Sequence, residues 1–343
     1  MKNTWPLWRT FNVVTIVLIG LVMVACDNDA NVNTPITDPA TGISFRRQGA
    51  GYEVYRSPMA YGDVTIPAVF NGLPVVSIGG GAFFSGGLTS ITIPDSVTSI
   101  GAEAFAQNQL ANVTIPNGVT SIGNMAFQSS QIANVTIGNG VTHIGDWAFS
   151  HNQLVNVTTG SSVTHIGDWA FGSNQLGSVT ISNSVTHIGN LAFSWNQLTS
   201  VVIPDNVITI GNNAFANNEL TSVTIGNGIT YFGGFAFAHN EITSAIISNG
   251  ITYIGGGAFF DNKLTEVTIP KSVTSIEADA FHNNALISIT IPSNVDIAES
   301  RFTWMMGSTH AMGTHGGSFL ALYNNNNRQA GTYIFANGVW TLQ

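Results

Sequence analysis

Two His–Asp pairs recur in this chain at one spacing. "VTHIGDWAFSHNQL" (141–154) sets His143 three residues before Asp146, and "VTHIGDWAFGSNQL" (163–176) repeats the arrangement with His165 and Asp168. An imidazole beside a carboxylate is the pairing of a general base with the group that orients it. A third imidazole, His187, adds a ligand type that zinc accepts. Either chemistry requires the groups to converge on one point, so the segments that carry them decide the matter.

Those segments are copies of one unit. Ala-Phe recurs with its Phe at 83, 105, 127, 149, 171, 193, 215, 237, 259 and 281, ten times at a fixed 22-residue step. Leu or Ile keeps the same register from Leu88 to Leu286, and Gly closes an "xIG" corner from Gly79 to Gly255 before giving way to Glu277. A period of this length with apolar positions in step signals a leucine-rich-type solenoid. The His column carries Ser77, Ser99, Ser121, Thr209, Tyr231, Tyr253 and Ser275 in other copies, so it faces solvent. Stacked coils would hold His143, His165 and His187 in a parallel ladder, whereas tetrahedral metal binding wants convergence. Asp146 and Asp168 give way to Ala102, Asn124 and Asn190, and the pair lacks a nucleophile. The sequence is therefore read as having no catalytic residue, metal site or cofactor.

One copy, "LANVTIPNGVTSIGNMAFQSSQ" (110–131), shows how a coil is built. Leu110, Val113 and Ile115 point inward and Thr114 outward, a short strand ended by Pro116, which cannot continue a ladder. Asn-Gly turns the chain. Val119 and Ile122 form a second inward pair, Gly123 permits a corner, and Phe127 fills the interior. The Phe column should stack as a spine with strands about 4.8 Å apart. Asn three residues after most Phe residues (108, 152, 174, 196, 218, 240, 262 and 284) is expected to bond main-chain groups at the turn. Thr at 92, 114, 136, 158, 180, 224, 268 and 290 forms an outward rank.

Composition agrees with one elongated domain. Of 343 residues, 44% are hydrophobic and only 8% charged, with 37 Gly and a net charge of −9. No Lys/Arg cluster offers a footprint for nucleic acid or for anionic lipid. At the N-terminus Lys2 and Arg9 precede the apolar run "FNVVTIVLIGLVMVA" (11–25), which fits an export signal. Cys26, the single cysteine, follows at once, and "VMVAC" resembles the lipobox of bacterial lipoproteins, with Met23 in place of the usual Leu. That resemblance implies cleavage before Cys26, lipidation of its thiol and attachment to the membrane through the lipid. An ordinary signal peptide with an incidental Cys is the other reading.

The expected organisation is a signal peptide at 1–25, a flexible tether at 26–45, an irregular N-terminal cap with the first unit at 46–87, a solenoid at 88–292 and a cap at 293–343. The opening unit carries extra residues around "VFNG". "SFLALYNNNNRQAGTYIFANGVWTL" reads as strands with turns at "NNNN" and "NG", a β-rich C-terminal cap. "MGSTHAMGTHGG" (306–317), with His310 and His315, reads as a flexible loop.

"LTSITIPDSVTSIGAEAFAQN" and "LTSVTIGNGIT" resemble the BspA-like, treponemal type of leucine-rich repeat, whose pattern is LxxIxIPxxVxxIGxxAFxxC. The likeness covers residues 64–292, with Asn where the family pattern has Cys. It implies a mainly β, leucine-rich-repeat solenoid of about ten 22-residue coils with parallel strands. It also implies a surface protein or lipoprotein of the bacterial envelope that adheres to host matrix proteins, and it brings no catalytic residues.

Large side chains crowd the central coils. Trp147, Trp169, Trp195, Tyr231, Phe235 and Tyr253, with the three His, stand where early coils have Ser, Glu103 and Met125. Exposed aromatic groups on a rigid polar surface are favoured interface anchors. Duplication of one Trp-bearing repeat among tolerant positions would produce the same pattern. The expected function is a surface-anchored protein-interaction module, an adhesin binding an extracellular host protein through the solenoid face. The alternative is a structural or antigenic coat lipoprotein with no single ligand.

Overall fold

The computed structural model describes residues 34–298 and 316–343. Cys26, the apolar run before it, and His310 and His315 lie outside the described residues. The chain winds as a mainly β solenoid of about 11 turns.

Each coil supplies two short strands, here Asn112–Ile115 and Ser121–Ile122. Both pair in parallel with the next coil without slippage, Asn112 through Ile115 facing Asn134 through Ile137 and Ser121 facing His143. The two-residue strands continue one sheet from the N-terminal cap to Tyr231–Phe232, and the longer strands pair in smaller groups on the other wall. Alternation along the longer strand buries Val113 and Ile115, while the two-residue strand buries Ile122 and the Ala-Phe corner buries Phe127. The Phe rings form the expected spine, with successive centroids 5.0 to 5.6 Å apart from Phe83 to Phe281. Gly123 marks a close approach of two coils, since a Cβ there would lie 2.5 Å from the main-chain nitrogen of Ala102.

The side of the coil that carries Ala-Phe has no strand but keeps its main chain paired. The N–H groups of Glu103, Phe105 and Gln107 donate to the carbonyls of Asn124, Ala126 and Gln128 in the next coil, at 2.9, 2.7 and 2.8 Å. This ladder places two residues per coil in the left-handed region, such as Glu103 (φ 57) and Gln107 (φ 59). A buried Asn column completes it. Asn152 donates its amide to the carbonyls of Phe127 and Phe149 and accepts the N–H groups of Ser130 and Ile132. Each such Asn satisfies main-chain groups that the turn leaves without a ladder partner.

Both ends are closed, as a solenoid with exposed strand edges requires. At the N-terminal end Ile36–Thr37, Ser44–Gln48 and Gly51–Tyr55 pair antiparallel. Residues 36–45, expected as tether, are thus part of the cap, and Ile43 and Phe45 are fully buried. "VFNG" forms a hairpin that stacks Phe70 on Phe45 with centroids 4.0 Å apart.

At the C-terminal end the strand reading of "SFLALY" is corrected, because Gly316–Asn325 is a helix. Its i,i+4 pair Phe319 and Tyr323 lies on one helical face, packed on Tyr333 of the following hairpin. The hairpin Gly331–Ala336 with Val339–Leu342 turns at "NG" as expected and runs antiparallel on the last coil's Ser288–Ile291, covering that edge.

Candidate interaction surface

The stacked strands place His143, His165 and His187 in one rank with Thr209 and Tyr231. The three imidazoles lie face to face, 4.8 and 4.5 Å between centroids and nearly coplanar in direction. Each Nδ1 sits 2.8 Å from the hydroxyl of the preceding residue, Thr142, Thr164 or Thr186. Those hydroxyls also lie 3.0 to 3.1 Å from the carbonyls of Thr120, Thr142 and Thr164 in the preceding coil. Those carbonyls already accept the N–H groups of Thr142, Thr164 and Thr186. The hydroxyl proton therefore serves either the carbonyl or Nδ1, and the direction of the Thr–His bond follows the ring tautomer.

The aspartates serve the stack. Asp146 Oδ1 accepts the N–H of Asp168 at 2.9 Å, and Asp168 Oδ1 accepts that of Asn190 at 2.7 Å. Asn124, Asn190 and Asn212 make the equivalent bond from the same column. Each of these imidazoles therefore bonds a threonine and each of these carboxylates a main-chain amide, so His143 does not pair with Asp146, nor His165 with Asp168. Burial, and then the neighbouring rings of His187 and His143, hold the His165 imidazole below its ordinary pKa.

The aromatic residues separate into three columns. Tyr231 and Tyr253 continue the His rank, with Tyr231 47% exposed. Burial and then the nearby Glu277 and Tyr231 push the Tyr253 phenol up. Trp147, Trp169 and Phe235 occupy the first left-handed corner of their coils (φ 60, 57 and 56), and Trp195 the second (φ 57). Trp147 and Trp169 are half-buried, not exposed as their types suggest, because their rings stack on each other 4.7 Å apart. Trp195 is 57% exposed and Phe235 38%. These columns spread over the surface rather than forming one patch.

Other residues join them. His151 stacks against Trp147 at 6.0 Å. Phe260 contacts Phe235, His239 and His282 at 5.9, 5.3 and 5.4 Å, making a second cluster. The repeat register could have revealed Phe260, which stands where most coils have Ala, Gly, Ser or Gln.

Solved structures of other leucine-rich repeat proteins share the fold. The chain is similar to a leucine-rich repeat protein from Bacteroides ovatus, at 21% identity over 79% of this chain and 90% of that one, with a TM-score of 0.51. It is also similar to the pneumococcal vaccine antigen PcpA, at 18% identity over 78% and 85% of the two chains, with a TM-score of 0.51. A leucine rich cell surface protein from Faecalibacterium prausnitzii is 26% identical over 78% and 90%, with a TM-score of 0.38. No curated protein sequence matches the chain. The sequence pattern of the BspA type leucine rich repeat region matches in six copies across residues 76–198 and 186–305, and the chain belongs to that family.

Proposed function

We propose that this chain is a lipid-anchored module of the bacterial cell surface, held by Cys26, that binds an extracellular host protein through coils 141–260. The carrying observation is the set of aromatic side chains that these coils hold part-exposed on a rigid scaffold, Trp195 and Phe235 above all. Both sit in left-handed backbone, a conformation that costs an L-residue about 1–2 kcal/mol. Asn fills the same corners at Asn213 (φ 56) and Asn217 (φ 56) with less strain. Large aromatic groups there serve contact better than local stability, and a few such residues carry most of an interface's energy. Repetition adds avidity for a fibrous or multivalent partner.

The test compares binding of the parent and of a Trp147→Asn, Trp169→Asn, Trp195→Asn, Phe235→Asn variant to immobilised extracellular-matrix proteins at two salt concentrations. The parent should bind with little salt dependence, since the surface carries few charges, and the variant should not. Equal binding by both removes the aromatic columns from the interface. Binding by neither favours a coat lipoprotein without a specific ligand.

A further inference from the structure

The wall of longer strands is polar on its outer side. From Asn156–Thr158 to Ser288–Ile291 its outward positions hold Asn, Ser, Thr or Gly, with Glu266 the one charge. Four large apolar side chains interrupt them: Val155, Val202, Ile246 and Ile287, which are 46, 65, 62 and 51% exposed.

These four are placed symmetrically. Thr224 has Val202 beside it in the preceding coil and Ile246 in the next. In the neighbouring rank Thr221 bonds the carbonyl of Thr199 and accepts the N–H of Thr243. Val155 and Ile287 stand in that rank three coils before and three coils after Thr221. One coil, Thr221 to Thr224, is therefore the centre of both pairs. The polar positions obey the same symmetry, since Thr180 and Thr268 lie two coils to either side of Thr224. Glu266, two coils after Ser222, is matched by Ser178, two coils before it. Solubility alone does not require apolar exceptions to be spaced evenly about one coil, whereas a self-complementary contact does.

We propose that two copies of this chain pack wall to wall as an antiparallel, two-fold symmetric dimer, with the axis lying in the contact plane along Ser222–Ile225. An axis so placed keeps the position along each strand and reverses the order of the coils. Val202 then meets the partner's Ile246, and Val155 meets the partner's Ile287, so each apolar side chain leaves water against another. Glu266 meets the partner's Ser178, and no like charges face each other on the wall. A second solenoid repeats at the same inter-strand step of about 4.8 Å, so the match holds in every coil. Seven coils, each about three residues wide, bury on the order of 1,000 Å² in all, the low end for a specific interface. The dimer is therefore weak and forms as concentration rises.

Reversal of the coils puts the two N-terminal caps at opposite ends of the dimer. Copies held at Cys26 would accordingly join two facing surfaces. That consequence rests on the anchoring proposed above, whereas the dimer does not. Trp195 and Phe235 stand at the corners beside Ala-Phe and remain free for another partner.

The experiment is sedimentation velocity of the full chain in detergent over a wide concentration range, so that the apolar run at 11–25 contributes equally to every variant. The parent should pass from monomer to dimer. Val202→Lys and Ile246→Glu, both at exposed positions, should each keep the parental urea midpoint and weaken dimerisation by about tenfold or more. The chain carrying both substitutions should dimerise again, because each lysine meets the partner's glutamate, and its dimer should now be salt-sensitive. The Trp147→Asn, Trp169→Asn, Trp195→Asn, Phe235→Asn variant should dimerise like the parent, which separates this surface from the one proposed for a host protein. The proposal is overturned if the parent stays monomeric, if either single variant dimerises like the parent, or if the double variant folds and does not recover.

Discussion

Asn196 donates its side-chain amide to the carbonyl of Phe171, one coil earlier, across 3.0 Å. The same amide reaches the carbonyl of Phe193 in its own coil at 3.1 Å, and its Oδ1 accepts the N–H of Leu176 at 3.0 Å. One buried side chain thus ties two residues of the Phe spine to the strand side of the core. Repeated from Asn108 to Asn284, this bond fixes how each coil sits on the last.

Removing it should be expensive. Asn196→Ala strands buried main-chain groups, each costing about 1–3 kcal/mol when unpaired, so the urea midpoint should fall clearly. Asn196→Ser should cost less, because Ser130 already fills this column and donates to the Phe105 carbonyl at 2.6 Å. Equal losses for the two variants would contradict the hydrogen-bond account.

The Phe spine is the second determinant. Phe171→Ala removes a fully buried ring stacked 5.4 Å from both neighbours, and should lower stability by roughly 3–5 kcal/mol. Hydrogen exchange should show the loss spreading to adjacent coils, because each repeat is supported by the next. An unchanged denaturation midpoint would refute the packing.

Acid should weaken the central coils. His165 takes up a proton less readily in the folded chain than unfolded, through burial and then the facing imidazoles of His187 and His143. Its contribution is fully present above the unfolded value of about 6.5 and is lost as pH falls toward the lower folded value. Moving from about pH 7.5 to about pH 5.5 should lower the midpoint of the parent more than that of the triple His→Ser variant. The same pH dependence in both would place its origin elsewhere.

Cys26 is expected to carry the membrane attachment. Cys26→Ala should leave an unprocessed precursor or a released chain, since acyl chains supply about 0.8 kcal/mol per buried methylene. A variant that loses its signal and still partitions into detergent would argue for an ordinary signal peptide.

The solenoid was legible because its columns repeat. Ten Ala-Phe pairs, the Leu column and the Asn three residues after most Phe residues each have a residue type that explains itself. The left-handed corners were not legible. Glu103, Met125, Trp147, Leu191 and Trp195 share no turn-forming chemistry, and their conformation is imposed by the N–H ladder to the next coil. "FLALY" is a short continuous apolar run, which strand and helix share, and it packs as a helix because Phe319 and Tyr323 both reach the aromatic cap. Of the candidate surface, the His rank followed from register, whereas the bond from each Nδ1 to the preceding Thr hydroxyl depends on side-chain directions that register does not give. The Trp stack and the Phe260 cluster depend on ring directions that spacing alone leaves open.

The most direct measurement is hydrogen exchange of the chain alone and in complex with a matrix protein that it captures. Protection should concentrate in coils 141–260, and the variant with Asn at 147, 169, 195 and 235 should lose both capture and protection. Protection confined to the coils before 141 or to the C-terminal hairpin would contradict an interface built on the central coils.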